Sequence, residues 1–163
     1  MRSMQLLCSG MSRFLYKGSM RYLGIDFGLK RIGLAISDES NKIAFGLNTL
    51  ENRGPKDFFN NIKLLINKYN ISKIVIGFPT NMDGTPGNLS RELSKFIDTL
   101  KKIPEVEIIT WDERLTSVEG GRIARELGKK DKGTIDRIAA TLILQSYLDY
   151  INRLTTPEGP STL

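Results

Sequence analysis

The side chains of this chain that could carry chemistry are carboxylates. Asp26 closes an apolar run, Tyr22-Leu-Gly-Ile-Asp26, just before a basic turn bounded by Gly28 and Gly33. Asp112-Glu113-Arg114 follows a second apolar run directly, and Asp136 lies beside Ile135 at the start of the last helical pattern. The chain has no histidine and one cysteine, Cys8. That removes Ser-His-Asp triads, Cys-His pairs and His-ligated zinc, and it leaves neither an intramolecular disulfide nor a thiolate metal cage. Oxygen ligation remains, which suits hard cations such as Mg²⁺ or Mn²⁺. Acids gathered from three distant segments repel one another unless a divalent cation or a raised pKa relieves them. Two cations about 3.5 to 4 Å apart would orient a water and stabilise the leaving oxygen in phosphodiester cleavage.

Each acid also has a plainer role open to it. Asp136 could complement a helix dipole, Glu113 and Arg114 could form an exposed ion pair, and Asp26 could accept from backbone donors in the Gly28 turn. The joint occurrence of the three is what favours a site.

The elements that must position these groups can be read from periodicity and punctuation. Residues 22–26, 32–37 and 43–48 are short β-rich runs separated by Gly, Asp, Ser and Asn, which predicts three consecutive antiparallel strands. After Gly54-Pro55, the residues Phe58, Ile62, Leu65, Ile66 and Tyr69 recur at helical spacing. Residues 72–78 form an apolar strand, followed by a turn-rich loop that contains Asn81 and Asp83. Leu89, Leu93, Phe96, Ile97 and Leu100 mark a second helix that ends near Pro104, and residues 106–111 a fifth strand. Thr116 and Glu119 have capping-box spacing and predict a third helix running to Gly128. Thr134 is expected to cap a long final helix with Ile135, Ala139, Leu142, Ile143, Ser146, Tyr147 and Tyr150 on its packing face. This order describes an α/β fold with a five-stranded mixed sheet flanked by helices.

At 163 residues and 40% hydrophobic content, the chain is sized for one domain. Residues 1–19 read as an N-terminal extension, expected to be disordered, 20–154 as the folded domain and 155–163 as a flexible tail. The formal charge is +6; without Arg2, Arg13 and Lys17 of the extension it is 21 basic against 18 acidic side chains, which supports a nucleic-acid partner only weakly. Basic side chains from Arg114 to Arg137 are diluted by Glu119, Glu126, Asp131 and Asp136. Trp111 is the chain's one tryptophan. Few aromatics are free for base stacking, so selectivity would have to come from RNA structure or from partner proteins. No run approaches the roughly 18 apolar residues of a membrane span, and a cytoplasmic location is expected.

Gly24, Gly28 and Gly33 do not have G-x-G-x-x-G spacing, and a strand follows them where a dinucleotide site needs a helix. Asp26-Phe-Gly28 resembles the phosphate turn of actin and sugar-kinase ATPases, but those clamp ATP between two lobes and this chain is too short for a second. A more extensive resemblance covers four ordered blocks between Tyr22 and about Tyr150. They are Gly24-Ile-Asp26-Phe-Gly28-Leu-Lys30-Arg31-Ile-Gly33-Leu-Ala-Ile-Ser-Asp38, Ile76-Gly-Phe-Pro-Thr-Asn-Met-Asp83-Gly84-Thr, Asp112-Glu113-Arg114-Leu-Thr116-Ser-Val-Glu119 and Ile135-Asp136-Arg-Ile-Ala139-Ala140-Thr-Leu-Ile-Leu-Gln145.

With these blocks the chain resembles the YqgF/RuvX family. The resemblance implies an RNase H-like fold related to Holliday junction resolvases and a role as a nuclease maturing the 5′ end of 16S ribosomal RNA. It also implies Asp26, Glu113 and Asp136 as catalytic, metal-binding carboxylates for two Mg²⁺ or Mn²⁺ ions, with Asp112 as the alternative to Glu113. Lys30, Arg31 and Arg114 would meet phosphates. The partners implied are precursor ribosomal RNA, structured DNA or ribosomal assembly intermediates, with the protein a monomer or homodimer. A junction-resolving DNA nuclease and a non-catalytic assembly or transcription factor are the alternatives.

Overall fold

The computed structural model describes residues 19–78, 88–112 and 132–155, with the backbone alone for 88–90. The expected helix from Thr116 to Gly128, the loop with Asn81 and Asp83, and both terminal segments apart from Ser19 and Thr155 lie outside them. The elements in chain order are β1 (Arg21–Phe27), β2 (Arg31–Ser37), β3 (Ala44–Glu51), α1 (Pro55–Tyr69), β4 (Ile71–Phe78), α2 (Asn88–Leu100), β5 (Glu107–Asp112) and α3 (Lys132–Thr155). All five strands and the first two helices are those expected, with ends moved by up to four residues. The sheet order is β3-β2-β1-β4-β5, so the strand that carries Asp26 is central. Strands β1 to β3 pair antiparallel, while β4 is parallel to β1 and β5 is parallel to β4.

Alternation along β1 assigns its side chains to two faces. Leu23, Ile25 and Phe27 join Ile32 and Leu34 of β2, Ile74 and Ile76 of β4, and the apolar stripes of α1 and α2. Burying each such side chain contributes about 1.5 to 3 kcal/mol, and Phe96 fixes the centre of the layer with ring contacts at 4.4 Å to Phe27 and 5.0 Å to Phe58. Tyr22, Gly24 and Asp26 alternate to the opposite face, where Ala35, Val75, Ile109 and Trp111 pack with α3. Helix α1 begins behind Gly54, whose φ of 103° favours glycine, with Pro55 at its start. It ends at Asn70 in the left-handed conformation, whose N–H donates to the Ile66 carbonyl.

Helix α3 departs from expectation in two respects. It starts at Lys132, so Thr134 lies within its first turn and is not the cap. Here the Thr49 hydroxyl of β3 donates to the Gly133 carbonyl at 2.8 Å and ties the earlier turn to the sheet. The buried stripe is Ala140, Ile143, Leu144, Tyr147 and Leu148, whereas Ile135 and Tyr150 are exposed. Apolar residues occur on several sides of this helix, so spacing alone did not select the stripe. Contact with the sheet selects it.

Three glycines let α3 lie close to the sheet. A Cβ at Gly24 would come 2.6 Å from Leu144 Cβ and 2.9 Å from the Ala140 carbonyl oxygen. One at Gly33 would overlap the Asp136 carbonyl, and one at Gly46 would reach the aliphatic stem of Arg137 at 2.5 Å. At its other end the helix is tied to the β2–β3 hairpin. The Gln145 amide accepts from Ala44 N–H and donates to the Lys42 carbonyl, while Asn152 donates to the Asn41 carbonyl.

Candidate active site

Asp26 is the penultimate residue of β1 and pairs across the sheet with Gly33 of β2. Directly paired residues in an antiparallel ladder project to the same face, so Asp26 stands beside the bare position that α3 approaches at its second turn. The backbone atom nearest that position is the Asp136 carbonyl oxygen. Asp26 and Asp136, 110 residues apart in the chain, are thus neighbours of one glycine. Both are half-buried.

Arg31 begins β2 two residues before Gly33 and therefore shares its face. Its Nε donates to Asp136 Oδ2 at 2.7 Å, with the side chains of Arg31 and Asp136 retaining 34% and 24% of their exposure. Lys30 is exposed in the turn between β1 and β2. That turn is closed by Gly28, where a Cβ would overlap the Arg31 carbonyl. It is braced from the segment after β3, because Asn52 Nδ2 donates to the Gly28 carbonyl at 2.9 Å and Asn52 N–H to the Lys30 carbonyl at 3.0 Å.

Asn52 holds the turn that carries Lys30, and Thr49 holds the start of the helix that carries Asp136, yet no motif singled them out. Asn52 sits in an Asn-Arg-Gly-Pro breaker and reads as an ordinary turn residue. Thr49 alternates as any strand residue would.

Asp112 ends β5 paired with Phe78, which packs in the layer under α1 and α2. Strand alternation places it in the row opposite that of Asp26 and Trp111. Glu113 and Arg114 lie outside the described residues. Among the described residues, no three Asp, Glu or Cys side chains gather closely enough to hold a metal ion. Nor, among those residues, is any helix long and apolar enough to cross a membrane.

Comparison with known proteins gives this geometry a context. The family model RuvX, described as Holliday junction resolvase, matches residues 20–150. A protein of Thermoanaerobacter pseudethanolicus is 46% identical over 134 residues, covering 80% of this chain and 96% of its own length. One of Halothermothrix orenii is 43% identical over 138 residues, covering 83% and 99%. Both carry the name "Putative pre-16S rRNA nuclease". Thermus thermophilus RuvC, solved in complex with a Holliday junction substrate, superimposes with a TM-score of 0.57 at 13% identity, over 84% of this chain and 98% of its own. That likeness shows a shared RNase H-like architecture. With a matched model across the whole strand-and-helix framework and relatives above 40% identity, the chain belongs to the RuvX (YqgF) family of nucleases.

Proposed function

We propose that the chain is a metal-dependent endonuclease that hydrolyses phosphodiester bonds in structured RNA, with the 5′ region of precursor 16S ribosomal RNA as its substrate. The observation that carries this reading is that the backbones of Asp26 and Asp136 both border Gly33. The names of the relatives support ribosomal RNA as the substrate. The donor set fits a hard cation, because these groups offer carboxylate oxygens alone.

Asp26, Asp136 and Glu113 would hold the cations, with Glu113 preferred to Asp112 because Asp112 stands in the other row of β5. Mg²⁺ or Mn²⁺ there supplies stabilisation of charge on the reacting oxygens and a more acidic water. The rest falls to the chain. Asp26 is fixed by the ladder of the central strand, so its carboxylate keeps a defined position while substrate enters. Asp136 is carried by a helix that Gly33 seats against the sheet. Lys30 and Arg31 present positive charge at the rim of the acids and draw the phosphate backbone toward them, a role the family resemblance also gives Arg114. Glu113 would complete the acids and help orient the attacking water.

The test is incubation with precursor ribosomal RNA and with four-way DNA junctions, in Mg²⁺, Mn²⁺ or chelator, beside Asp26→Asn. Cleavage of the RNA precursor that disappears with chelator and with Asp26→Asn is expected. Cleavage that survives either overturns the metal mechanism. Cutting confined to the junctions moves the substrate to DNA, and tight binding without cutting makes the protein an assembly factor.

A further inference from the structure

We propose that Arg31 and the divalent cation compete for Asp136, so that the arginine is the built-in counter-ion of the metal-free site and leaves Asp136 when the metal arrives. The inference rests on the metal reading above and adds an order of events to it. Three observations carry it. The guanidinium contacts the carboxylate directly through Nε at 2.7 Å, so a dication on the same carboxylate would stand within a few ångströms of a like charge with little water between them. The pair is only a quarter to a third exposed, which limits the screening that would let both cations share one acid. Arg31 also has another acid at hand, because its cross-strand partner in the β2–β3 ladder is Glu51.

Glu51 is already bound by Arg53, with contacts of 3.0 Å from Nε and 2.8 Å from Nη2. It is nonetheless 70% exposed and can accept a second arginine. A guanidinium released from Asp136 remains at the rim of the acids, where a phosphate oxygen could take the place of the carboxylate. The same side chain thereby neutralises Asp136 before the metal binds and the phosphodiester after it.

The experiment is a Mn²⁺ titration of the full chain, read as free Mn²⁺ by electron paramagnetic resonance, with Tm measured in parallel. The proteins are wild type, Arg31→Gln, Arg31→Lys and Asp136→Asn. Arg31→Gln is expected to bind Mn²⁺ about threefold to fivefold more tightly than wild type, the scale of a partly exposed ion pair. Its metal-free Tm falls and its gain in Tm on adding Mn²⁺ grows. Arg31→Lys keeps the charge and stays near wild type, whereas a role in packing alone would make lysine behave like glutamine. Asp136→Asn weakens binding. Equal or weaker Mn²⁺ binding by folded Arg31→Gln overturns the competition while leaving the metal site standing. Absence of Mn²⁺ binding in wild type and Arg31→Gln alike overturns both.

Discussion

Replacing Gly33 by alanine places one methyl group where the site is assembled. The new Cβ would fall inside the Asp136 carbonyl group and also crowd the Arg137 backbone nitrogen. Ordinary carbon-to-oxygen approaches are about 3.3 to 3.6 Å, so α3 at Asp136 must retreat from β2 by on the order of 1 Å. The obstacle is backbone, which cannot rotate aside as a side chain can. Overpacking of this kind costs about 1 to 3 kcal/mol. At about 2 to 4 °C per kcal/mol for a chain of this size, Tm is expected to drop by roughly 2 to 12 °C. A protein with an ordinary reserve of about 5 to 15 kcal/mol stays folded.

Activity suffers more than stability, because a misplacement of about 1 Å in a reacting group costs on the order of 100-fold. Gly46→Ala is the matched control: its Cβ would meet the Arg137 stem at 2.5 and 2.9 Å, atoms of a flexible, exposed side chain that can swing away. Thermal unfolding and metal-dependent cleavage measured on both variants decide the matter. If Gly33→Ala keeps wild-type cleavage, or if the two variants are indistinguishable, the seating of α3 does not set the site.

Asp26→Asn and Asp136→Asn are each expected to lower cleavage at least about 100-fold with the far-ultraviolet circular dichroism unchanged. Leu144→Ala, at a fully buried position over Gly24, should cost about 2 to 5 kcal/mol in urea unfolding without altering Mn²⁺ affinity per folded molecule. The Ile43 backbone N–H, the Ser40 hydroxyl and the Lys42 and Ser40 N–H groups hold the Asp38 carboxyl well below the usual carboxylate range. A depressed folded pKa means that its contribution is present above the unfolded value of about 3.9 and is lost as pH falls below it. The wild-type Tm should therefore fall more steeply below about pH 4 than that of Asp38→Asn, in scans between pH 3 and 7. RNA affinity should decline steeply between 50 and 200 mM salt in a filter-binding assay, and Lys30→Gln should reduce that slope.

The strands and the first two helices were legible because their signals are local. Alternation in Tyr22 to Phe27, the breaker at Gly54-Pro55 and the helical spacing from Phe58 to Tyr69 each specify one element without reference to another. Asp26 could be placed at a strand end for the same reason. What could not be read is what depends on two elements meeting. The glycines at 24, 33 and 46 look like turn or strand-weakening residues until α3 lies over them. The α3 stripe is chosen by those glycines and not by the helix's own apolar pattern, so Ile135, expected on the packing face, stands outward, while Tyr150 reaches only its edge, with its ring 5.3 Å from that of Trp111. Arg31 could be marked as a phosphate contact from its charge and neighbours, but its bond to Asp136 spans 105 residues and no spacing rule reaches that far. Asn52 was hidden likewise, since its value lies in the carbonyls of a different turn.

Helix α3 behaves as a single rod fastened at both extremities: Asp136 near one, and Gln145 and Asn152 gripping the hairpin toward the other. At 24 residues it spans about 36 Å, and the phase between its two ends is fixed by counting residues. Insertion of one residue between Asp136 and Ala140 would swing the acid about 100° around the axis, off the sheet, while the distal grip stayed intact. Length variation along this rod should accordingly be barred upstream of Ala140 and tolerated beyond Asn152, however freely the surface residues between them change.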